Sequence, residues 1–258
     1  ALTALAAAAT PVPTAAPVAT AAPVAASVEP SGTLEVGLAS LGSPGYNLSE
    51  LGSQANWIEN VTSNESLWAT SPRGAVIPVL VTDWTMDSTA QIYTFNLQRG
   101  AMWHDNWGEF TASDFIWSIQ NGTREATVHP VGGQMRRIYN CDGCTMTAVT
   151  DYQVRLERPT PSFEVTWYVR PPGGSMTMHS KLHYEFVGEE AANKESVGTG
   201  PWQATEARPE EFRKYSAVSD HWRKTPEFAE LIFWDIGEEA TRLANFLTGA
   251  IDTGAFTA

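Results

Sequence analysis

From Tyr93 to Gln98 polar and apolar residues alternate, with Tyr93, Phe95 and Leu97 on one side and Thr94, Asn96 and Gln98 on the other. A period of two predicts a half-buried strand. Asp151 to Leu156 (DYQVRL) alternates in the same way. Pro159 and Pro161 end it, because proline has no N–H to give to a ladder. Further strands are predicted at Thr33–Leu38, stopped by Ser43-Pro44-Gly45, after the opening Gly198-Thr199-Gly200-Pro201-Trp202, and from Glu230 to Ile236. In the last of these, Leu231 and Phe233 oppose Ile232 and Trp234. Both faces are apolar, which predicts a strand covered on both sides.

Helical spacing appears in three places. Ala55, Ile58 and Val61 recur at intervals of three, which suits one buried face. Ala240, Leu243, Ala244 and Leu247 lie at i, i+3, i+4 and i+7 and predict a buried stripe on a helix over 238–247. Glu238 and Glu239 sit at its positive N-terminal end, and Gly249 suits the residue just past its last turn. The third helix begins at Thr111. Its hydroxyl and the acid three residues on, Asp114, form a capping box that satisfies the orphan backbone donors of the first turn. Strands and helices interleave throughout, so the pattern predicts a mixed α/β fold rather than a bundle or a sandwich.

Residues 1–31 are of another kind. TPVPTAAPVATAAPVAAS, at 10–27, carries no charge and repeats proline, valine and alanine. Such a stretch has nothing large to bury, and its prolines favour an extended conformation suited to a tether. The alanine-rich start before it reads as the remnant of a signal peptide. No apolar run is long enough to span a bilayer. The remainder has ample material for a core: 43% of the chain is hydrophobic and it holds ten tryptophans. Asp and Glu number 29 against 16 Lys and Arg, a net charge of −13. That balance excludes nucleic acid as a partner, since phosphate neutralisation needs clustered cations. It argues equally against an anionic membrane surface.

Few residues suggest chemistry. Cys141-Asp142-Gly143-Cys144 holds the only two cysteines. The spacing allows a redox motif, half of a zinc site or a short disulfide. Zinc needs further ligands, and His129 and His183 are isolated in sequence. His104, Asp105 and Glu109 are the strongest acid–base or metal cluster and would serve a metal-dependent hydrolase. Against this, neighbours in a turn diverge, and no third ligand has the helical spacing of HExxH. No GxSxG elbow is present, and Gly198-x-Gly200 lacks the third glycine of a dinucleotide loop. Asn47, Asn60, Asn64 and Asn121 each head an Asn-x-Ser/Thr sequon, a pattern common by chance.

Two long motifs carry a resemblance. The first is the strand, Trp103-His104-Asp105 turn and Phe110-Thr111-Ala112-x-Asp114 helix start. The second is Gly198-Thr199-Gly200-Pro201-Trp202, then Asp220-His221-Trp222 with Lys224-Thr225-Pro226, then EEATRLANFLTGAID at 238–252. Together they resemble the family 5 extracellular solute-binding proteins, the dipeptide, oligopeptide and nickel receptors of ABC importers. The chain departs from the usual His-Asp-Gly turn with Asn106 and an inserted Trp107.

The resemblance implies lobes of the type II periplasmic-binding-protein kind, truncated before the second cleft lobe. In that reading residues 1–31 are leader and linker, 32–50 and 198–258 form an incomplete domain I, 51–197 form an inserted domain II, and domain III is absent. It implies a monomer that captures a peptide or other small solute and delivers it to an ABC permease, without cofactor, metal or catalytic residue. The expected place is the periplasm or cell surface, with anchoring through an N-terminal lipid or the linker. Ligand contacts fall on Gly52, Ser53 and Gln54 and on His129, Pro130 and Val131. For an exported protein the disulfide is the favoured state of Cys141 and Cys144. A solute sensor that has lost transport is the other binding-protein reading.

Overall fold

The computed structural model describes residues 29–42, 61–127, 129–170 and 176–256. Two sheets dominate. The first has the order β11-β1-β10-β9-β8, built from β1 (Thr33–Leu38), β8 (Trp202–Arg208), β9 (Phe212–Ala217), β10 (Glu230–Asp235) and β11 (Thr253–Gly254). β1 pairs in parallel with both β10 and β11, while β8, β9 and β10 run antiparallel. The strand nearest the start of the fold thus lies among strands that follow Gly198.

The second sheet is antiparallel throughout, with order β4-β5-β7-β6. It comprises β4 (Val81–Met86), β5 (Ile92–Leu97), β6 (Thr145–Thr150) and β7 (Gln153–Glu157). A small ribbon of β2 (Trp68–Thr70) and β3 (Val76–Pro78) adjoins it. Helices α1 (Ala112–Gly122) and α2 (Gly132–Tyr139) follow β5, and α3 (Lys181–Val187), α4 (Glu189–Ala192) and α5 (Glu239–Thr248) come later.

The alternation in β5 has the predicted consequence. Tyr93, Phe95 and Leu97 are buried, and Phe95 stacks on Phe115 of α1 and meets Trp68 edge-on. β7 contributes Val154 and Leu156 to the same core, which continues through Phe110, Ile119, Met135 and Tyr139. α1 starts where its cap requires. The Asp114 carboxylate accepts from the Thr111 N–H and hydroxyl, each at 2.9 Å, and from the Lys181 N–H at 2.9 Å. One carboxylate therefore fixes the starts of both α1 and α3.

Two expectations need correction. In β10 only Leu231 and Phe233 are buried, against Tyr215 and Leu38, in a smaller second core. Ile232 and Trp234 are half-buried, with the Trp234 ring 5.2 Å from that of Phe212 and its indole N–H donating to the Glu35 carboxylate. The helix α5 differs more. Its predicted buried stripe is exposed, Leu243 at 47% and Leu247 at 74%, and its buried residue is Arg242. The Arg242 guanidinium donates to the carbonyls of Ile236, Gly237 and Ala255, so α5 is held to the sheet by polar bonds. Of the helix predicted through Ala55 and Ile58, only Val61 lies among the described residues, and it is helical there.

Candidate functional site

The chain crosses between the two sheets at Gly198-Thr199-Gly200, and the crossing is built by backbone contact. An added Cβ at Gly198 would stand 1.9 Å from the Ser63 carbonyl oxygen, and one at Gly200 2.6 Å from it. The Gly200 N–H donates to that carbonyl at 2.8 Å. These glycines are present because another chain segment occupies the place of a side chain. Around them, His104 and His221 each use both ring nitrogens. The His104 Nδ1 accepts from the Gly198 N–H at 3.3 Å and its Nε2 lies 2.8 Å from the Gly200 carbonyl. The His221 Nδ1 accepts from the Arg223 and Lys224 N–H groups, each at 3.3 Å, and its Nε2 lies 2.8 Å from the Thr199 carbonyl. Amide N–H groups only donate and carbonyls only accept, so each ring is neutral with its proton on Nε2. Burial holds both histidines below their ordinary pKa, against the pull of their carbonyl partners.

Glu65 completes the junction. Its buried carboxylate accepts from the Thr199 hydroxyl at 3.1 Å and from Arg223 at 2.6 Å. Burial raises its pKa, and the Arg223 charge offsets part of that rise. The Trp222 indole donates to the Thr199 carbonyl at 3.1 Å, which that oxygen shares with His221. The two motifs that lie far apart in sequence are therefore two halves of one junction.

This geometry disposes of the hydrolase cluster. His104 has no free ring nitrogen. Asp105 accepts from Gln203 at 2.7 Å, and Glu109 accepts from Tyr152 at 2.8 Å and from the Gly100 N–H. Each of the three faces a different structural partner. The turn itself is left-handed at Asp105 (φ 55) and Asn106 (φ 60), a conformation that Asn and Asp tolerate best after glycine. The inserted Trp107 packs on His183 at 5.0 Å and on Phe186 at 5.4 Å. Among the described residues no group of three or more His, Cys, Asp or Glu is arranged to hold a metal.

Of the expected ligand contacts, Gly52, Ser53 and Gln54 lie outside the described residues. His129 and Val131 form the turn that starts α2. The His129 Nδ1 accepts the Val131 N–H at 3.3 Å and its carbonyl accepts from Gly132 at 2.9 Å. Its ring is buried, which lowers its pKa to about 4. Val131 is half-buried against the main core, and Pro130 between them is exposed. Cys141 and Cys144 are joined by a disulfide, S–S 1.98 Å, across a turn in which the Cys144 N–H donates to the Cys141 carbonyl. The sequon residue Asn64 is buried.

Residues 75–258 match the bacterial extracellular solute-binding proteins, family 5, in their middle region. The chain belongs to this family. Among similar proteins, the dipeptide-binding protein of Escherichia coli is 24% identical over 184 residues, which are 66% of this chain and 34% of that protein. The nickel-binding periplasmic protein of Escherichia coli is 24% identical over 183 residues, 69% of this chain and 33% of that protein. The chain thus spans about a third of the curated relatives it matches. Among solved structures, the A. tumefaciens MoaA complex with mannopinic acid has a TM-score of 0.75 at 18% identity, covering 86% of this chain and 44% of that one. Helicobacter pylori DppA in complex with the peptide STSA gives 0.72 at 19%, covering 86% of this chain and 46% of that one.

The family 5 proteins are binding proteins and not enzymes, in keeping with a junction whose titratable groups are all committed to structure. What inspection of the sequence missed is Glu65, Thr199, Arg223 and His221 as one cluster. Glu65 sits inside the Asn64-Glu65-Ser66 sequon, a pattern that signals nothing about a buried carboxylate. An acid followed by no local cation gives no hint of a partner 158 residues away.

Proposed function

We propose that this chain is part of the substrate-binding component of an ABC importer, which captures peptides outside the cytoplasmic membrane and hands them to the permease. The observation that carries the reading is the family match over residues 75–258, together with relatives described as dipeptide- and di/tripeptide-binding. Capture is closure of lobes around the solute, a hinge motion that offers the loaded form to its partner. In such sites affinity comes from pairing with the peptide backbone, with hydrated side-chain pockets supplying tolerance. Gly52, Ser53 and Gln54, and the turn at His129-Pro130-Val131, are the proposed ligand contacts. At the turn, Pro130 and the backbone beside it are the groups that reach a ligand, since the His129 ring is buried.

Residues 32–50 with 198–258, and 51–197, are proposed as the two domains. The N-terminal proline- and alanine-rich stretch is proposed as the tether to a membrane anchor. Calorimetric titration of the protein that carries this sequence tests the reading, with di-, tri- and tetrapeptides, a nickel chelate and an opine as ligands. Micromolar or tighter binding of peptides alone is the expected outcome. Binding of the chelate or the opine with no response to peptides would overturn the assignment of ligand class.

A further inference from the structure

The antiparallel sheet has an outer face that the main core does not use. Phe95 stacks on Phe115 of α1, so its neighbour Asn96 points to the opposite side of the sheet. There one residue from each strand region stands in register: Asp83 on β4, Asn96 on β5, Gln153 on β7 and Thr150 on β6. The row is bonded in series. The Gln153 amide donates to Asn96 Oδ1 at 2.8 Å, and the Asn96 amide donates to Asp83 Oδ1 at 2.6 Å. Asn96, Gln153 and Thr150 floor an open pocket of about 450 Å³, a volume in the range of small-ligand sites. Its wall is Arg99, whose guanidinium lies over the Tyr152 ring at 4.0 Å. Tyr152 is itself held by the bond from its hydroxyl to Glu109.

The groups that the lining leaves unused define the occupant. Among the described residues the Arg99 guanidinium makes no hydrogen bond or ion pair, only its contact with the Tyr152 ring. Gln153 spends one amide N–H on Asn96, and Gln98 spends one on the Arg99 carbonyl. Each carboxamide keeps an acceptor oxygen and a second N–H. The Thr150 oxygen accepts from the Tyr152 N–H, and its hydroxyl proton remains. No acid lines the pocket, and Asp83 at the end of the row already holds Asn96 and Thr82. We propose that this pocket binds a sugar acid. Its carboxylate pairs with Arg99, and its hydroxyls, donors and acceptors at once, pair with the carboxamides of Gln98 and Gln153. A zwitterionic peptide suits the pocket poorly, since its ammonium meets no carboxylate in the lining. Leu97, the one aliphatic hydrocarbon side chain of the lining, is turned into the core, so an apolar solute has little to touch. A free hexuronate and a uronate-bearing polysaccharide offer the same chemistry. The inference does not rest on the peptide reading.

NMR titration of the 258-residue chain at constant ionic strength tests the site, with galacturonate, tetragalacturonate, galactose, acetate and dialanine as probes. Galacturonate is expected to give saturable shifts at the side-chain amides of Gln98 and Gln153 and at the Arg99 Nε–H, with a Kd of about 1 mM or tighter. Galactose lacks the carboxylate and acetate lacks the hydroxyls, and an exposed ion pair alone is worth little. Each should therefore bind about tenfold or more weakly. Tetragalacturonate that binds about tenfold tighter than the monomer identifies a polysaccharide as the source, and equal binding identifies the free acid. Arg99→Gln, a change at an exposed residue, should bring galacturonate down to the level of galactose. Shifts with acetate as large and as saturable as those with galacturonate would overturn the proposal. So would the absence of saturable shifts with galacturonate at about 20 mM. Dialanine that binds at the same amides as tightly as galacturonate would overturn it too, by giving the pocket to a peptide.

Discussion

At the level of single residues, Gly198 and Gly74 show two separate reasons for glycine. Gly198 is crowded by the Ser63 carbonyl, whereas Gly74 has open space but a φ of +83. Gly198→Ala is expected to cost about 3 kcal/mol or more, or to prevent folding, since backbone cannot move aside cheaply. Gly74→Ala should cost about 1 kcal/mol. Urea unfolding of the two variants measures both. The histidines give a second prediction. Burial lowers His129 to about 4 and His179 to about 3, and lowers His104 and His221 as well. A histidine whose folded pKa is depressed binds its proton more readily when unfolded, so its contribution is full above about pH 6.5 and is lost on acidification toward the folded pKa. For His129 alone that is about 3 kcal/mol between pH 6.5 and pH 4. Glu65 and Asp114, raised by burial, act in the opposite sense and soften the loss as the pH nears their own range. Denaturation midpoints should therefore drop steadily from about pH 6.5 to about pH 4. A flat profile there would contradict the burial of these rings.

Among the elements, those with a clean period were legible. Tyr93, Phe95 and Leu97 announce β5 by alternation, and Thr111 with Asp114 announces the start of α1, because in each case the cause is local. The face of α5 was not legible, because its stripe of Leu243 and Leu247 satisfies the helical period while burial depends on what lies opposite. In this fold the helix is fastened through Arg242 instead. Leu247→Ser in the 258-residue chain should accordingly shift stability by less than about 0.5 kcal/mol, where a buried leucine would lose several. Arg242→Ala should cost about 2 kcal/mol, since three carbonyls lose a charged donor and a buried side chain is removed. Thermal unfolding of both variants checks the order; a larger loss for Leu247→Ser would reverse the account of α5. The Cys141–Cys144 turn is expected to be oxidised in the exported protein, with an intact mass that rises by two hydrogens on reduction. Closing so short a loop constrains little chain, so replacing both cysteines by serine should cost about 2 kcal/mol or less. Free thiols in the unreduced protein would contradict this.

Across the whole molecule, two sheets with separate cores meet at a junction made from the two motifs that were recognisable in the sequence. The motifs could be read because turns, caps and glycines have local chemical causes. Their mutual fit could not, since the spacing from His104 to Gly200 or from Glu65 to Arg223 leaves no periodic trace. His104, Asp105 and Glu109, the groups that looked catalytic in the sequence, are each bound to a structural partner. With the function proposed above, the central claim is capture without turnover. Native mass spectrometry of the protein that carries this sequence, incubated with a mixture of short peptides, puts it to the test. The account predicts a mass increase equal to one intact peptide, and recovery of every peptide in the mixture uncleaved. Cleavage products, or the absence of any peptide-bound species across the mixture, would contradict it.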